Sequence, residues 1–246
     1  MLLRRSLSAP RARQQADERA PARYDLSMWQ SYRADIARYT TGGTASQIRA
    51  VFQHQGLWAL AVYRALHPLV THERTLIRKP ASIVALAATK GIEVLTGISL
   101  PAKTTVGPGL FIAHFGPVII NSDARIGAYV SMLHGTTLGN SGRWDNLEDD
   151  SPTLGDRVYL GAGACVLGKV TVGDDAVVGA NATVTKSLPP RAVAVGSPAK
   201  IVSMRGAFRY VAYVGMVDDP ARQASLAIMQ EGNEPIPDDP AFTPRR

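Results

Sequence analysis

An aliphatic residue recurs every six positions through the middle of the chain, usually followed by a small one. The clearest run is Leu154-Gly155, Leu160-Gly161, Val166-Leu167, Val172-Gly173, Val178-Gly179 and Val184-Thr185. An earlier run reads Leu100, Val106 and Ile112, then Ile120, Ile126, Met132 and Leu138, with the phase slipping by two residues between Ile112 and Ile120. A polar segment breaks the pattern between Leu138 and Leu154. A period of six fits neither the 3.6 of a helix nor the alternation of one strand. It predicts a parallel β-helix of hexapeptides, with a short strand and a turn per repeat and three repeats to a triangular coil. The aliphatic residue points inward and the small one lets the chain turn the corner. Each coil then buries its core only against its neighbours. A helix over 154–186 is excluded by the six glycines it would contain, each costing about 1 kcal/mol there.

Ahead of the repeat the apolar spacing is helical. Leu26, Trp29, Tyr32, Ile36 and Tyr39 predict a helix over 25–41, stopped by Gly42-Gly43. Ile48, Phe52, Trp58, Val62 and Leu66 predict a second from about Thr44 to His67, ended by Pro68. A third, from about Pro80 to Leu95, is apolar almost all round, which predicts burial as a packed cap or oligomer contact. It is too short and too interrupted to span a bilayer. Arg74, Arg78 and Lys79 before it make a membrane-surface contact the alternative. Beyond the repeat, Gly206 to Val217 is expected to form a short helix, and the Pro-rich end from Glu231 a loose tail. The expected organisation is a basic tail (1–24), a helical region (25–97), the β-helix (98–205), and a short helix with its tail (206–246).

The 246 residues suffice for one sizeable core, and 46% of them are hydrophobic, as in an ordinary soluble protein. The single Cys165 excludes an intrachain disulfide and makes a cytoplasmic protein the default. The net charge of +7 owes much to arginines in the first 23 residues, unaccompanied by a nucleic-acid-binding motif, so no nucleic-acid partner is expected. No Walker loop, dinucleotide fingerprint or cysteine–histidine zinc spacing appears, so no metal is expected.

His114 and His134 each lie two positions after an inward residue, Ile112 and Met132. Three repeats plus the slip separate them, one full turn of the prism. They should share a side in adjacent rungs, about 4.8 Å apart. Asn140 to Pro152, with Trp144, Asp145, Asp149 and Asp150, reads as an inserted recognition loop able to wall an acceptor.

The repeat, with the closing phrase from Pro189 to Val202, resembles the hexapeptide-repeat acyltransferases over roughly residues 25–205. It is most similar to the serine acetyltransferase branch and its relatives in polysaccharide biosynthesis. The resemblance implies a left-handed coil, acetyl-CoA as co-substrate, and a homotrimer, with a hexamer as the alternative. Val106 to His114 is similar to the phrase leading to the catalytic histidine of those enzymes. It implies that His114 is the general base, with His134 as auxiliary. Backbone amides at Gly139 and Asn140 are the expected oxyanion donors. Acetyl-CoA is expected in a groove between subunits, beside Gly161, Ala162, Gly179 and Ala180, with Lys186, Arg191 and Lys200 on its phosphates.

Three departures bear on the acceptor. Ala113 stands where the serine enzymes have an aspartate, Ile98-Ser99 where they have a second acid, and Ser151 where they have a second histidine. An amino acid's ammonium and carboxylate need charged partners. The expected function is therefore acetyl-CoA-dependent O-acetylation of a sugar or glycan hydroxyl by direct transfer. Acetylation of serine, another amino alcohol or an amine is the alternative, and a non-catalytic assembly protein a second. A metal-dependent hydratase would need three imidazoles around zinc, and the repeat holds two histidines.

Overall fold

The computed structural model describes residues 26–142 and 150–231. The basic tail, Trp144, Asp145, Asp149 and the Pro-rich end lie outside these residues.

Helix α1 (Met28–Ala37) opens on a capping box. Ser27 Oγ accepts from the Gln30 N–H, and the Ser27 N–H donates to Gln30 Oε1 at 2.8 Å. It ends four residues earlier than expected, because Arg38 and Tyr39 leave the helix to bond to the coil. The expected second helix is two, α2 (Thr44–Gln53) and α3 (Gln55–Val70), broken at His54, whose backbone is extended at φ −116° and ψ 108°. The break seats Gly56 on the coil, where a Cβ would lie 2.6 Å from the Ile112 carbonyl. Pro68 does not stop α3, and α4 (Thr75–Thr96) starts before Pro80. Both prolines ride inside helices. Gly97, at φ 72°, closes α4 with a left-handed cap, its N–H donating to Glu93 O at 2.7 Å.

The expected burial of this last helix fails in the single chain. Ala85 and Thr96 are its buried residues, whereas Leu76 is 91% and Val94 86% exposed. It leans on α3 through one narrow face, leaving the opposite apolar stripe bare. Among the described residues no helix is long and apolar enough to cross a membrane.

The repeat is a left-handed parallel β-helix with three faces. The first stacks β1 (Ile98–Ser99), β4 (Val118–Ile120), β7 (Thr137–Gly139), β10 (Cys165–Leu167) and β13 (Thr183–Val184). The second stacks β2 (Thr105–Val106), β5 (Arg125–Ile126), β8 (Thr153–Leu154) and β11 (Thr171–Val172). The third stacks β3 (Phe111–Ile112), β6 (Ser131–Met132), β9 (Tyr159–Leu160), β12 (Val177–Val178) and β14 (Val193–Val195), closed by antiparallel β15 (Lys200–Ser203). The expected inward residues form the columns of the core. Ile112, Met132, Leu160 and Val178 pair in register on the third face, and Met132 is fully buried. Such burial is worth about 1.5–3 kcal/mol per side chain.

The helical region docks through a buried ion pair. Asp35 on α1 meets Arg64 on α3 at 2.9 Å, and Arg64 also donates to the carbonyls of Val106 (2.8 Å) and Gly107 (2.6 Å).

After the coil, residues 206–219 form turns rather than the expected helix. Their aromatic side chains lie flat on the third face: Tyr213 stacks on Tyr129 at 4.0 Å and Tyr210 leans on Tyr159 at 4.9 Å. Helix α5 (Pro220–Glu231) follows, its first amides capped by Asp219 Oδ1. The Asp219-Pro220 start is itself a helix signal in the sequence.

Candidate active site

The two histidines meet as their spacing predicts. Ile112 pairs with Met132, which puts the corners that follow them in adjacent rungs. The His114 and His134 ring centroids lie 5.8 Å apart, edge to face, and both residues are exposed. His114 is held at φ 70°, a left-handed conformation uncommon for a residue with a Cβ. The corners are stitched in one column by backbone bonds. Gly135 N–H donates to Pro117 O, Gly163 N–H to His134 O at 2.9 Å, and Asn181 N–H to Ala162 O at 2.8 Å. Below the column stands the end of α4, where Gly97 O accepts from the Val118 N–H at 3.1 Å.

This column also contains the small residues expected beside acetyl-CoA, Gly161, Ala162, Gly179 and Ala180. Their size has a second cause. A Cβ on Gly161 would lie 2.6 Å from Ala180 N, and one on Gly179 2.8 Å from Val195 Cγ1, so rung stacking alone excludes larger side chains there. The three basic residues do not converge. Lys200 lies opposite Val195, at the end of the column. Lys186 follows β13 at the next corner. Arg191 is buried at the third corner, its carbonyl accepting from Gly206 N–H at 3.0 Å. Within one chain Arg191 lies under the C-terminal segment and Lys186 on a different edge of the prism from Lys200.

The expected acceptor wall is also displaced within one chain. Strand β7, of which Gly139 is the last residue, carries the chain away from His134, and Asn140 begins the corner between the first and second faces. Gly139 O there accepts from Gly168 N–H at 2.9 Å. Asp150, at 6% exposure, is no acceptor ligand. Its Oδ2 accepts from the Ser141 N–H (2.7 Å) and Oγ (2.6 Å), and its Oδ1 from the Lys169 N–H (3.0 Å), closing the base of the loop. Ser151 Oγ lies 3.1 Å from Asn121 Oδ1 at this same corner.

Two groups that the repeat phase could not reveal approach from the helical region. Tyr39 hydroxyl donates to Ile112 O at 2.9 Å and accepts from Ile112 N–H at 3.0 Å, with its ring 4.6 Å from Phe111 and 4.9 Å from His54. Burial pushes the Tyr39 phenol well above its usual range, so it stays protonated. Glu93 of α4 accepts from Ser99 Oγ at 3.1 Å and from Lys90 at 2.8 Å, and these bonds hold its carboxyl below the usual range. A carboxylate thus does stand over β1, where the strand itself offers none.

The sequence pattern of the bacterial transferase hexapeptide family (six repeats) matches residues 151–186. A serine acetyltransferase of Mycobacterium tuberculosis is 36% identical over 177 residues, covering 71% of this chain and 73% of that protein. One from Helicobacter pylori is 41% identical over 150 residues, covering 61% and 82%. The chain belongs to the serine acetyltransferase family of hexapeptide-repeat transferases. Among solved structures, soybean serine acetyltransferase complexed with serine superposes with a TM-score of 0.63 at 31% identity, covering 72% of this chain and 70% of that one.

The chain is accordingly an acetyl-CoA-dependent acyltransferase. The expected closeness to polysaccharide enzymes is not supported, and the expected sugar or glycan acceptor is overturned by these relatives. The inference from missing acids failed because it weighed only positions along the strands and loop. Among the described residues there is no cluster of three or more metal-ligating side chains.

Proposed function

We propose that this chain transfers the acetyl group of acetyl-CoA to the side-chain hydroxyl of L-serine, giving O-acetyl-L-serine and free CoA. The observation that carries the reading is the exposed His114–His134 pair on one corner of the coil, in a chain whose relatives are serine acetyltransferases. His114 takes the hydroxyl proton as the oxygen attacks the thioester carbonyl. The tetrahedral intermediate collapses, the C–S bond breaks, and the imidazolium returns the proton to the departing thiolate. No acyl-enzyme is needed. His134, edge-on to His114, orients it. Acetyl-CoA runs along the Gly161 and Gly179 corners toward Lys200, which supplies a cation for its phosphates.

Gly139 and Asn140 fit this scheme as oxyanion donors when a neighbouring copy brings its own loop corner to the histidine corner. That favours a homotrimer whose sites lie between subunits. Replacing His114 by alanine should lower kcat for CoA release with L-serine by about 10²–10⁴-fold, with acetyl-CoA binding and oligomer size retained. Undiminished turnover would remove His114 from the role. Acetyl-CoA binding by the native chain without any transfer to L-serine would remove the acceptor.

A further inference from the structure

We infer, resting on the serine-acetylation reading above and its course for acetyl-CoA, that Phe115 limits the donor to a short acyl chain by closing the space beyond the thioester. The sequence slips by two residues between Ile112 and Ile120, and strand pairing fixes where the extra residues go. Ile112 pairs with Met132 and Ile119 with Thr137, so residues 113–118 span the corner that residues 133–136 span one rung on. Ala113 is still in register, its N–H donating to Met132 O at 2.9 Å. The surplus therefore enlarges the turn directly after His114, where the backbone runs left-handed at φ 70° for His114 and φ 137° for Gly116. Turns on a rigid scaffold are where specificity is commonly set.

This enlarged turn carries one large apolar side chain, and it is bare: Phe115 is 64% exposed. In the next two rungs the corresponding corner continues with glycine, Gly135 and Gly163. The turn is braced on both sides. A Cβ on Gly116 would lie 3.4 Å from His134 Cβ, and one on Gly97, the cap of α4, would lie 3.2 Å from Gly116 C. Gly135 N–H donates to Pro117 O at 2.6 Å. Phe115 is thus fixed on the rung where the corner column ends against α4. Lys200 lies at the other end, beside β14, four rung spacings of about 4.8 Å away. With the CoA phosphates at Lys200, the pantetheine arm follows the column and its thioester reaches the histidines last. The acyl chain beyond the sulfur is then directed to the closed end. The chemistry agrees with this placement. A serine carboxylate would lose its water against an aromatic ring without gaining a donor, whereas an acetyl methyl gains by leaving water. A longer acyl chain would have to displace the ring or hold the thioester carbonyl short of the serine hydroxyl on His114.

The test follows CoA release by the full chain with L-serine as acceptor and either acetyl-CoA or propionyl-CoA as donor. One methylene in an apolar pocket is discriminated by about 10–200-fold. The native ratio of kcat/KM, acetyl over propionyl, should therefore be at least about 10. Phe115→Ala should lower that ratio to under about 3 through a gain with propionyl-CoA, with oligomer size unchanged. Phe115→Leu, which keeps an apolar but smaller side chain, should give a ratio between the two. A native ratio already under about 3 would overturn the assignment. So would an unchanged ratio in Phe115→Ala while acetylation of serine persists. A smaller oligomer in Phe115→Ala would make the ring a subunit contact and overturn it equally. Native enzyme inactive toward L-serine with both donors would overturn the functional reading, and this inference with it.

Discussion

The Asp35–Arg64 pair is where the helical region is bolted to the coil, and Asp35→Asn tests that directly. The substitution keeps the shape and removes the charge. Arg64 would be left with its guanidinium buried against the Val106 and Gly107 carbonyls and no counter-charge. Breaking a buried pair by removing one partner costs about 3–5 kcal/mol. The two remaining carbonyl bonds place this case at the lower end, about 3 kcal/mol. Burial holds the Asp35 carboxyl above its usual range even though Arg64 and the Leu110 N–H oppose the shift, so each partner depends on the other. The double variant Asp35→Leu/Arg64→Met removes both charges. It still strands the Leu110 N–H, which now donates to Asp35 Oδ1 at 2.9 Å, and the two carbonyls, at a cost of about 1–3 kcal/mol per group. The double variant should therefore not return to native stability, yet its cost should fall short of the summed single-variant costs by at least about 2 kcal/mol. Urea unfolding at fixed chain concentration of Asp35→Asn, and of Asp35→Leu, Arg64→Met and their double variant analysed as a double-mutant cycle, gives these numbers. A single-variant cost under about 1 kcal/mol, or simple additivity, would refute the view that this pair is a desolvated, mutually dependent unit.

Two further outcomes follow from local geometry. Thr136, fully buried beside the His134 corner, has a hydroxyl without a partner among the described residues, so Thr136→Val should raise stability by about 1 kcal/mol in the same unfolding assay. At Asp219, burial would raise the carboxyl's affinity for protons, but the Tyr213 hydroxyl, the Arg222 and Ala221 amides and Arg157 outweigh it and hold the group below its usual range. A depressed acid contributes stability above its unfolded value of about 3.9 and loses it as the pH falls through the lower folded value. Protection from hydrogen exchange over residues 206–222, relative to the intrinsic rate at each pH, should therefore fall below about pH 4 while the coil amides remain protected; equal loss of protection in both would count against this anchor.

The coil was legible because its structure is nearly one-dimensional. Each inward residue meets only its copies one turn away, so counting from Ile112 to Met132 was enough to place His114 beside His134. The two-residue slip makes one coil of 20 residues, the spacing at which Val106 pairs with Ile126. Helix limits were less legible. Pro68 and Pro80 carry strong local signals that helix packing overrode, and His54 carries none, since its extended backbone answers to the seating of Gly56 on Ile112. The same limit applies to the basic residues. Lys186, Arg191 and Lys200 are close in the chain and lie on three different edges of the prism, because six residues carry the chain round one corner.

The acceptor is less legible in the sequence for a related reason. Repeat phase can test whether an acid is present at a position on a strand, and Ala113 and Ile98-Ser99 answer that it is not. It cannot test what another element brings to the same place. Glu93 reaches Ser99 from α4, and Tyr39 reaches the end of β3 from the segment after α1. An argument from lost residues is sound only where every group that could replace them lies on the same periodic scaffold. Here the histidines belong to the scaffold and these flanking groups come from the helices docked on it. The ion pair between Asp35 and Arg64 then links stability to chemistry. Loosening it should free Tyr39 from Ile112, so that Asp35→Asn would weaken serine turnover more than it weakens acetyl-CoA binding along the Gly161 and Gly179 corners.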